Sequence, residues 1–226
     1  KPLLKINGMS IISHVLKKAK EADIGDVCVA TEDKEILDDV NSNGGKAILT
    51  SNKHKTGTDR IFECFQKLDL KDIDYIINLQ GDEPNLDIND LKHLKKLLEK
   101  NKPEIGTLAS KIDNEKKFVN ENIVKVITKD KINEQNFPIA LDFKRKVNDP
   151  KFNIYHHLGI YAYKPDILKR IIKLEQTNNE INNRLEQLRA IENGININVA
   201  LAKFSPIGID TMEDYLALKK ILEYNS

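Results

Sequence analysis

Residues 75–84 read YIINLQGDEP. The first five make a short apolar run of the kind that forms a strand buried on both faces, and the next five change character at once. Gln80 and Gly81 interrupt the run, Asp82 and Glu83 add carboxylates, and Pro84 cannot donate to a ladder. A buried strand ending in such a turn marks the C-terminal edge of an open α/β sheet, where ligands gather. Gly81 permits a tight backbone there. Asp82 is then a hard carboxylate suited to Mg²⁺ shared with substrate phosphates, or else it helps to cap the helix that starts near residue 87.

The same alternation extends outward in both directions. Residues 10–22 carry Ile11, Ile12, Val15, Leu16 and Ala19 at helical spacing. DVCVAT at 26–31 reads as a buried strand, and Asp33 caps a helix that Gly44 and Gly45 end. A short strand at 47–50 precedes a helix at 58–68 with Ile61, Phe62, Phe65 and Leu68 on one side. Downstream come a helix at 87–100, strands at 105–112 and 124–128, and a short helical stretch near 115–119. Residues 129–153 are polar and irregular. Order returns with LGIYAY at 158–163, helices at 165–174 and 182–192, a strand at 197–202, and a last helix at 212–223. Strands and helices alternating over short connections predict an α/β fold, a Rossmann-like parallel sheet wrapped by helices. We expect one domain over residues 1–226, with a small α+β subdomain at about 113–165.

Composition narrows the function classes. Hydrophobic residues are 40% and charged residues 31% of 226, which suits a globular chain able to build its own core. A net charge of +1 gives no bulk electrostatic pull toward nucleic acid or an acidic membrane. No apolar run approaches a bilayer span and no signal peptide opens the sequence, so a cytoplasmic location is expected. Cys28 and Cys64 lack metal-ligand spacing and read as buried thiols in a reducing compartment.

Four further segments could carry chemistry. GIDTMED at 208–214 places Thr211 as an N-cap with Asp214 three residues on, which leaves Asp210 free to be a ligand. Asp82 and Asp210 at two strand ends make the carboxylate pair that a phosphoryl-transfer metal site needs. HKTGTDR at 54–60 sets Thr56, Gly57 and Thr58 at a helix N-terminus, able to donate backbone N–H groups to an anion, although a plain Thr N-cap looks the same. His156-His157 has no further His or Cys nearby for zinc, and in a strand only one of the two faces a given pocket. In LEQLR at 185–189 the leucines face the core, and by spacing alone Glu186 and Arg189 would be a surface i, i+3 pair.

Taken in order, KPLLKINGMSIISHVLKKA, VCVAT, HKTGTDR, NLQGDEP, NIVKV, HHLGIYAY, RLEQLRAIENG and GIDTMEDY resemble the 3-deoxy-manno-octulosonate (KDO) cytidylyltransferases, the CMP-KDO synthetases. The resemblance covers nearly the whole chain outside about 129–153. QGDEP is shared widely among sugar nucleotidyltransferases, whereas HLGIYAY followed by LEQLR is more particular. The resemblance implies in-line attack of the anomeric hydroxyl of KDO on the α-phosphate of CTP, with release of pyrophosphate, for lipopolysaccharide synthesis. It also implies that Asp82 and Asp210 hold Mg²⁺ and that Lys1 contacts CTP phosphate. Thr56, Gly57, Thr58 and Gln80 would line the cytosine and ribose side, and Arg60 would organise that loop or contact the ligand. His157 and Tyr161 would meet the carboxylate or hydroxyls of KDO with Glu186 and Gln187, which moves Glu186 from the surface into the pocket. A homodimer is implied by the family alone.

Two departures from the family pattern bear on the site. The family's first strand and its arginine-bearing nucleotide loop precede the position of Lys1, so the sequence reads as though it begins inside a domain. The family's sugar-acid arginine ahead of Pro-Ile-Pro has no counterpart in Asn133–Ile139, and Arg145 does not match that motif. Rival readings are a cytidylyltransferase for 8-amino-KDO or a sialic acid, a GT-A-like glycosyltransferase, and a nucleotide-binding module without catalysis.

Overall fold

The computed structural model describes residues 1–150, 153–205, 208–209 and 211–224. The chain divides into two compact units, one of Lys1–Leu70, Leu79–Lys92 and Pro206–Ser226, the other of Lys71–Asn78 and His93–Ser205.

In the first unit, β1 (Lys5–Ile6) and β2 (Met9–Ser10) pair around Asn7 and Gly8, both at positive φ. Helix α1 (Ile11–Ala22) follows directly, with Ser10 as its N-cap accepting from the Ser13 amide. Its buried stripe of Ile11, Ile12, Val15, Leu16 and Ala19 is the one the sequence spacing predicts. β3 (Val29–Thr31), α2 (Lys34–Ser42) and β4 (Ala47–Leu49) form a right-sized crossover, and β3 pairs β4 in parallel. Asp33 caps α2 through the Glu35 amide at 2.8 Å, as expected. Helix α3 (Gly57–Leu68) then carries the HKTGTDR loop at its N-terminus, and α9 (Met212–Tyr224) ends the chain. Ile6, Ile11, Ile209 and Leu218 close one buried cluster of this unit.

The second unit is built on a six-stranded sheet. Its strands are β5 (Ile76–Asn78), β6 (Ile105–Ser110), β7 (Lys125–Thr128), β8 (Ala140–Lys144), β9 (Ile154–Tyr163) and β10 (Ile197–Leu201). The order runs β10-β6-β9-β7-β8, with β5 also pairing β9. β6 and β10 are parallel, but β9 runs antiparallel to β5, β6 and β7. The sheet is therefore mixed where the alternation predicts a parallel one. Helical crossovers deliver parallel neighbours, and no helix stands between β7 and β8, which pair antiparallel.

The segment expected to lack regular structure contains β8. Its burial alternates imperfectly, with Ala140 and Phe143 inside and Leu141 54% exposed, so neither period stands out in the sequence. The predicted helix at 182–192 is two helices, α7 (Asn178–Asn183) and α8 (Gln187–Glu192), separated by Arg184 in the left-handed region. Helix α4 (Ile88–Asn101) buries Leu91, Leu94, Leu97 and Leu98, and the short α5 (Lys116–Val119) and α6 (Pro165–Ile171) complete the helices. A side chain at Gly106 of β6 would bring its Cβ within 2.7 Å of Leu98, so glycine lets α4 lie close to the strand. No described helix is long and apolar enough to cross a membrane.

Candidate active site

In the first unit, the loop between β4 and α3 is fixed from several sides. Thr56 is the N-cap of α3: its hydroxyl accepts from the Asp59 amide at 3.2 Å and donates to the Asp59 carboxylate at 2.9 Å. Gly57 and the buried Thr58 occupy the first turn, at the positive end of a 12-residue helix. Arg60 turns back onto the loop, donating to Thr50 Oγ1 at 2.7 Å and to the Ser51 carbonyl at 3.3 Å, and it pairs with Glu32. Its guanidinium ties the loop to the end of β4 and to Glu32.

Glu63, one turn further along α3, accepts from the Ser51 amide at 2.9 Å and pairs with His54 and Lys67. The Lys67 ammonium, the Ser51 amide and His54, in that order, hold its carboxyl down to about 2. These bonds leave Lys55 and Gly57 exposed at the loop tip. Such an arrangement, rigid backbone at a helix N-terminus, can bind an anion or a base edge without reordering.

The QGDEP turn is shaped by α1. A Cβ at Gly81 would stand 3.0 Å from Ile12 Cδ1, so a side chain there would push on the end of Ile12. Gln80 is exposed and Asp82 half-buried. The Ile209 amide donates to the Asp82 carbonyl at 3.3 Å, and Glu83 lies beside Gly208, so Gly208 and Ile209 run alongside this turn. Asp210 itself lies outside the described residues. Thr211 and Asp214 form the expected capping box: the Asp214 amide donates to Thr211 Oγ1 at 3.1 Å and the Thr211 amide to Asp214 at 2.8 Å. Lys1 is exposed, and its carbonyl accepts from Leu4 while that of Pro2 accepts from Ile12, which anchors the turn to the start of α1.

In the second unit, β9 presents a row of rings. His157 and Tyr161 lie 5.2 Å apart between centroids, Tyr161 and Tyr163 5.7 Å, and Phe143 of β8 stands perpendicular to His157 at 4.9 Å. The β6–β9 register shifts here: Leu108 faces Leu158 while Thr107 faces Tyr161, so Gly159 and Ile160 form a bulge. The Tyr161 hydroxyl is buried with no hydrogen-bond partner among the described residues. Burial, then the neighbouring Tyr163 and Glu186, pushes its phenol well above the ordinary range. The field of Glu186 thus reaches Tyr161, and a buried orphan hydroxyl is the sort of group a ligand satisfies. His156 points away from His157, as adjacent strand residues must, and its Nδ1 lies 2.7 Å from Ser205 Oγ. Burial, with Lys117 and Lys125, lowers His156 to about 4.

Glu186 and Gln187, both half-buried, open α8. Spacing alone puts Arg189 on the surface, and the structure puts it inside. Arg189 is 4% exposed and makes a two-pronged ion pair with Glu180 of α7. Burial raises the Glu180 carboxyl, but Arg189, Gln176 and the Thr177 backbone outweigh it and hold it below its ordinary value. Arg145 braces the same turn, donating to the carbonyls of Asn183 at 2.7 Å, Arg184 at 3.0 Å and Glu121 at 3.1 Å. Three positions that shape this site carried no functional signal in the sequence: Thr107, Glu180 and Arg145. The spacing of Thr177 and Glu180 is that of a capping box, the one local signal that could have found Glu180.

The fold is one that solved nucleotidyltransferase structures share. An apo UDP-glucose pyrophosphorylase matches it with a TM-score of 0.73 over 100% of this chain and 90% of its own, at 14% identity. The chain belongs to the cytidylyltransferase family, whose model matches residues 1–197. It is 42% identical over 234 residues to the 3-deoxy-manno-octulosonate cytidylyltransferase of Thermodesulfovibrio yellowstonii, covering 98% of this chain and 91% of that protein. The enzyme of the same name from Rhodopseudomonas palustris is 37% identical over 229 residues, 99% of this chain and 91% of its own. Among solved structures, a CMP:2-keto-3-deoxy-manno-octonic acid synthetase complexed with CTP matches with a TM-score of 0.89 at 33% identity, over 100% of this chain and 92% of that one.

Proposed function

We propose that this protein transfers the cytidylyl group of CTP to KDO, giving CMP-KDO and pyrophosphate. The observation that carries this is the 42% identity to a 3-deoxy-manno-octulosonate cytidylyltransferase across 98% of the chain. The anomeric oxygen of KDO forms a bond to the α-phosphorus, the α–β phosphoanhydride bond breaks, and the hydroxyl proton is lost. Lys1 supplies positive charge to the phosphates, where negative charge grows in the transition state. Thr56, Gly57 and Thr58 bind the nucleotide at the α3 N-terminus with Gln80, and Arg60 holds their loop in shape. His157, Tyr161, Glu186 and Gln187 bind the sugar acid.

Asp82 and Asp210 are the residues that would hold Mg²⁺. The half-buried Asp82 offers a hard oxygen donor that fits such an ion, which would neutralise phosphate charge when bound. The product supplies lipopolysaccharide synthesis, and the protein works in the cytoplasm as a homodimer.

The test is product formation by the purified full-length protein with CTP, Mg²⁺ and each candidate sugar in parallel. KDO should give equimolar pyrophosphate and a product of the mass of CMP-KDO. Turnover confined to a sialic acid or to 8-amino-KDO would replace the acceptor, and release of a nucleoside diphosphate would point to a glycosyltransferase.

A further inference from the structure

We propose that Thr107 holds His157 in its Nε2–H tautomer, so that Nδ1 receives a hydrogen bond from a sugar hydroxyl and does not meet the carboxylate. The inference rests on the sugar-acid transfer proposed above and assigns a positioning residue within it.

The Thr107 hydroxyl has one proton and three neighbours: Ile160 O at 2.6 Å, His157 Nε2 at 3.0 Å and Leu158 O at 3.4 Å. Thr107 is fully buried, so no water competes for that proton. A carbonyl can only accept. If the proton went to His157, two oxygen atoms would face each other at 2.6 Å with no hydrogen between them, an arrangement that is repulsive in a buried site. The proton therefore lies on the line to Ile160 O, and Thr107 Oγ1 accepts from His157. Nε2 must then carry hydrogen.

The ring is neutral near neutral pH, because burial and, to a lesser degree, His156 lower its pKa to about 3. A neutral imidazole with hydrogen on Nε2 has a bare lone pair on Nδ1. No described residue bonds to that nitrogen. Phe143 and Tyr161 pack on the ring, so Nδ1 is its remaining polar outlet. A lone pair attracts a hydroxyl proton and repels a carboxylate. Tyr161 supplies the complementary group: its phenol stays protonated, its oxygen is buried without a partner, and it can donate.

The bulge at Gly159 and Ile160 makes this possible. It turns the Ile160 carbonyl toward Thr107, whereas a regular ladder would pair the two strands through their backbones alone. Thr107 is thus a side-chain replacement for a ladder bond and a tautomer lock at once.

The experiment is nitrogen-15 NMR of the full-length protein labelled at its five histidines, with the His157 signals assigned by their loss in His157→Gln. Near neutral pH, wild type should show His157 with hydrogen on Nε2, and KDO should move the Nδ1 signal in the direction of an accepted hydrogen bond. Thr107→Val should give a mixture of tautomers and raise KM for the sugar about tenfold, with KM for CTP within about twofold. Thr107→Ser should restore both. A wild-type His157 with hydrogen on Nδ1, or charged, would overturn the proposal. So would a folded Thr107→Val that matched wild type in tautomer and KM. An Nε2–H tautomer in a protein that makes no product from KDO supports the assignment of Thr107 and overturns the substrate instead.

Discussion

Arg189 and Glu180 form a buried ion pair, with Arg189 Nε 2.8 Å from Glu180 Oε2 and side chains only 5% and 2% exposed. The pair joins α7 to α8 and brackets the turn that presents Glu186 and Gln187. Its value is in position more than in net stability, since a buried pair offsets much of its own desolvation. Removing one partner is another matter. Arg189→Met should lower the unfolding free energy by about 3–5 kcal/mol, because Glu180 is left charged and unmatched. Replacing both by apolar residues should recover most of the loss. Urea denaturation of the single and double variants measures this.

Lys125 makes a second buried support. It is fully buried, and its ammonium donates to the carbonyls of Asn120 at 2.6 Å and Ile123 at 2.7 Å and also to that of Arg145. Lys125→Met keeps the aliphatic stem and removes the donors. It should destabilise the protein by about 2–4 kcal/mol, read as a lower denaturation midpoint.

The sequence made some of this plain and hid the rest, for physical reasons. Asp33, Thr56 and the Thr211–Asp214 pair were legible because caps use local chemistry at fixed spacing. The QGDEP turn was legible because an apolar run stops there, although β5 is half-buried and not buried on both faces as that run suggests. The break between α7 and α8 was not, since Ile181, Leu185 and Leu188 continue a helical spacing through the left-handed Arg184. Arg189 looked like a surface residue because its partner Glu180 lies nine positions back, across that break. Thr107 was invisible: a lone threonine in a strand gains its role only from the bulge in β9, which no local pattern announces.

Glu63 gives a pH dependence with a definite sign. Its carboxyl falls from the ordinary 4.5 to about 2 in the folded protein. A depressed pKa contributes stability that is complete above the unfolded value and is lost as pH falls through the folded one. Stability should therefore decline between about pH 4.5 and 2, and Glu63→Gln should flatten that decline. Thermal unfolding across this range, on both proteins, checks it.

Asp82→Asn and Asp210→Asn should each lower kcat by about two orders of magnitude or more, with melting temperatures close to wild type. Activity near wild type in either variant at saturating Mg²⁺ would remove that residue from the metal site. Steady-state kinetics beside a melting curve separates chemistry from folding.

Phosphorus NMR of the reaction itself tests cytidylyl transfer most directly. With CTP, KDO and Mg²⁺, the three CTP signals should give way to pyrophosphate and one phosphodiester signal from CMP-KDO, in equal molar amounts. Cytidine diphosphate with inorganic phosphate, or CTP that persists while the sugar is consumed, would contradict it.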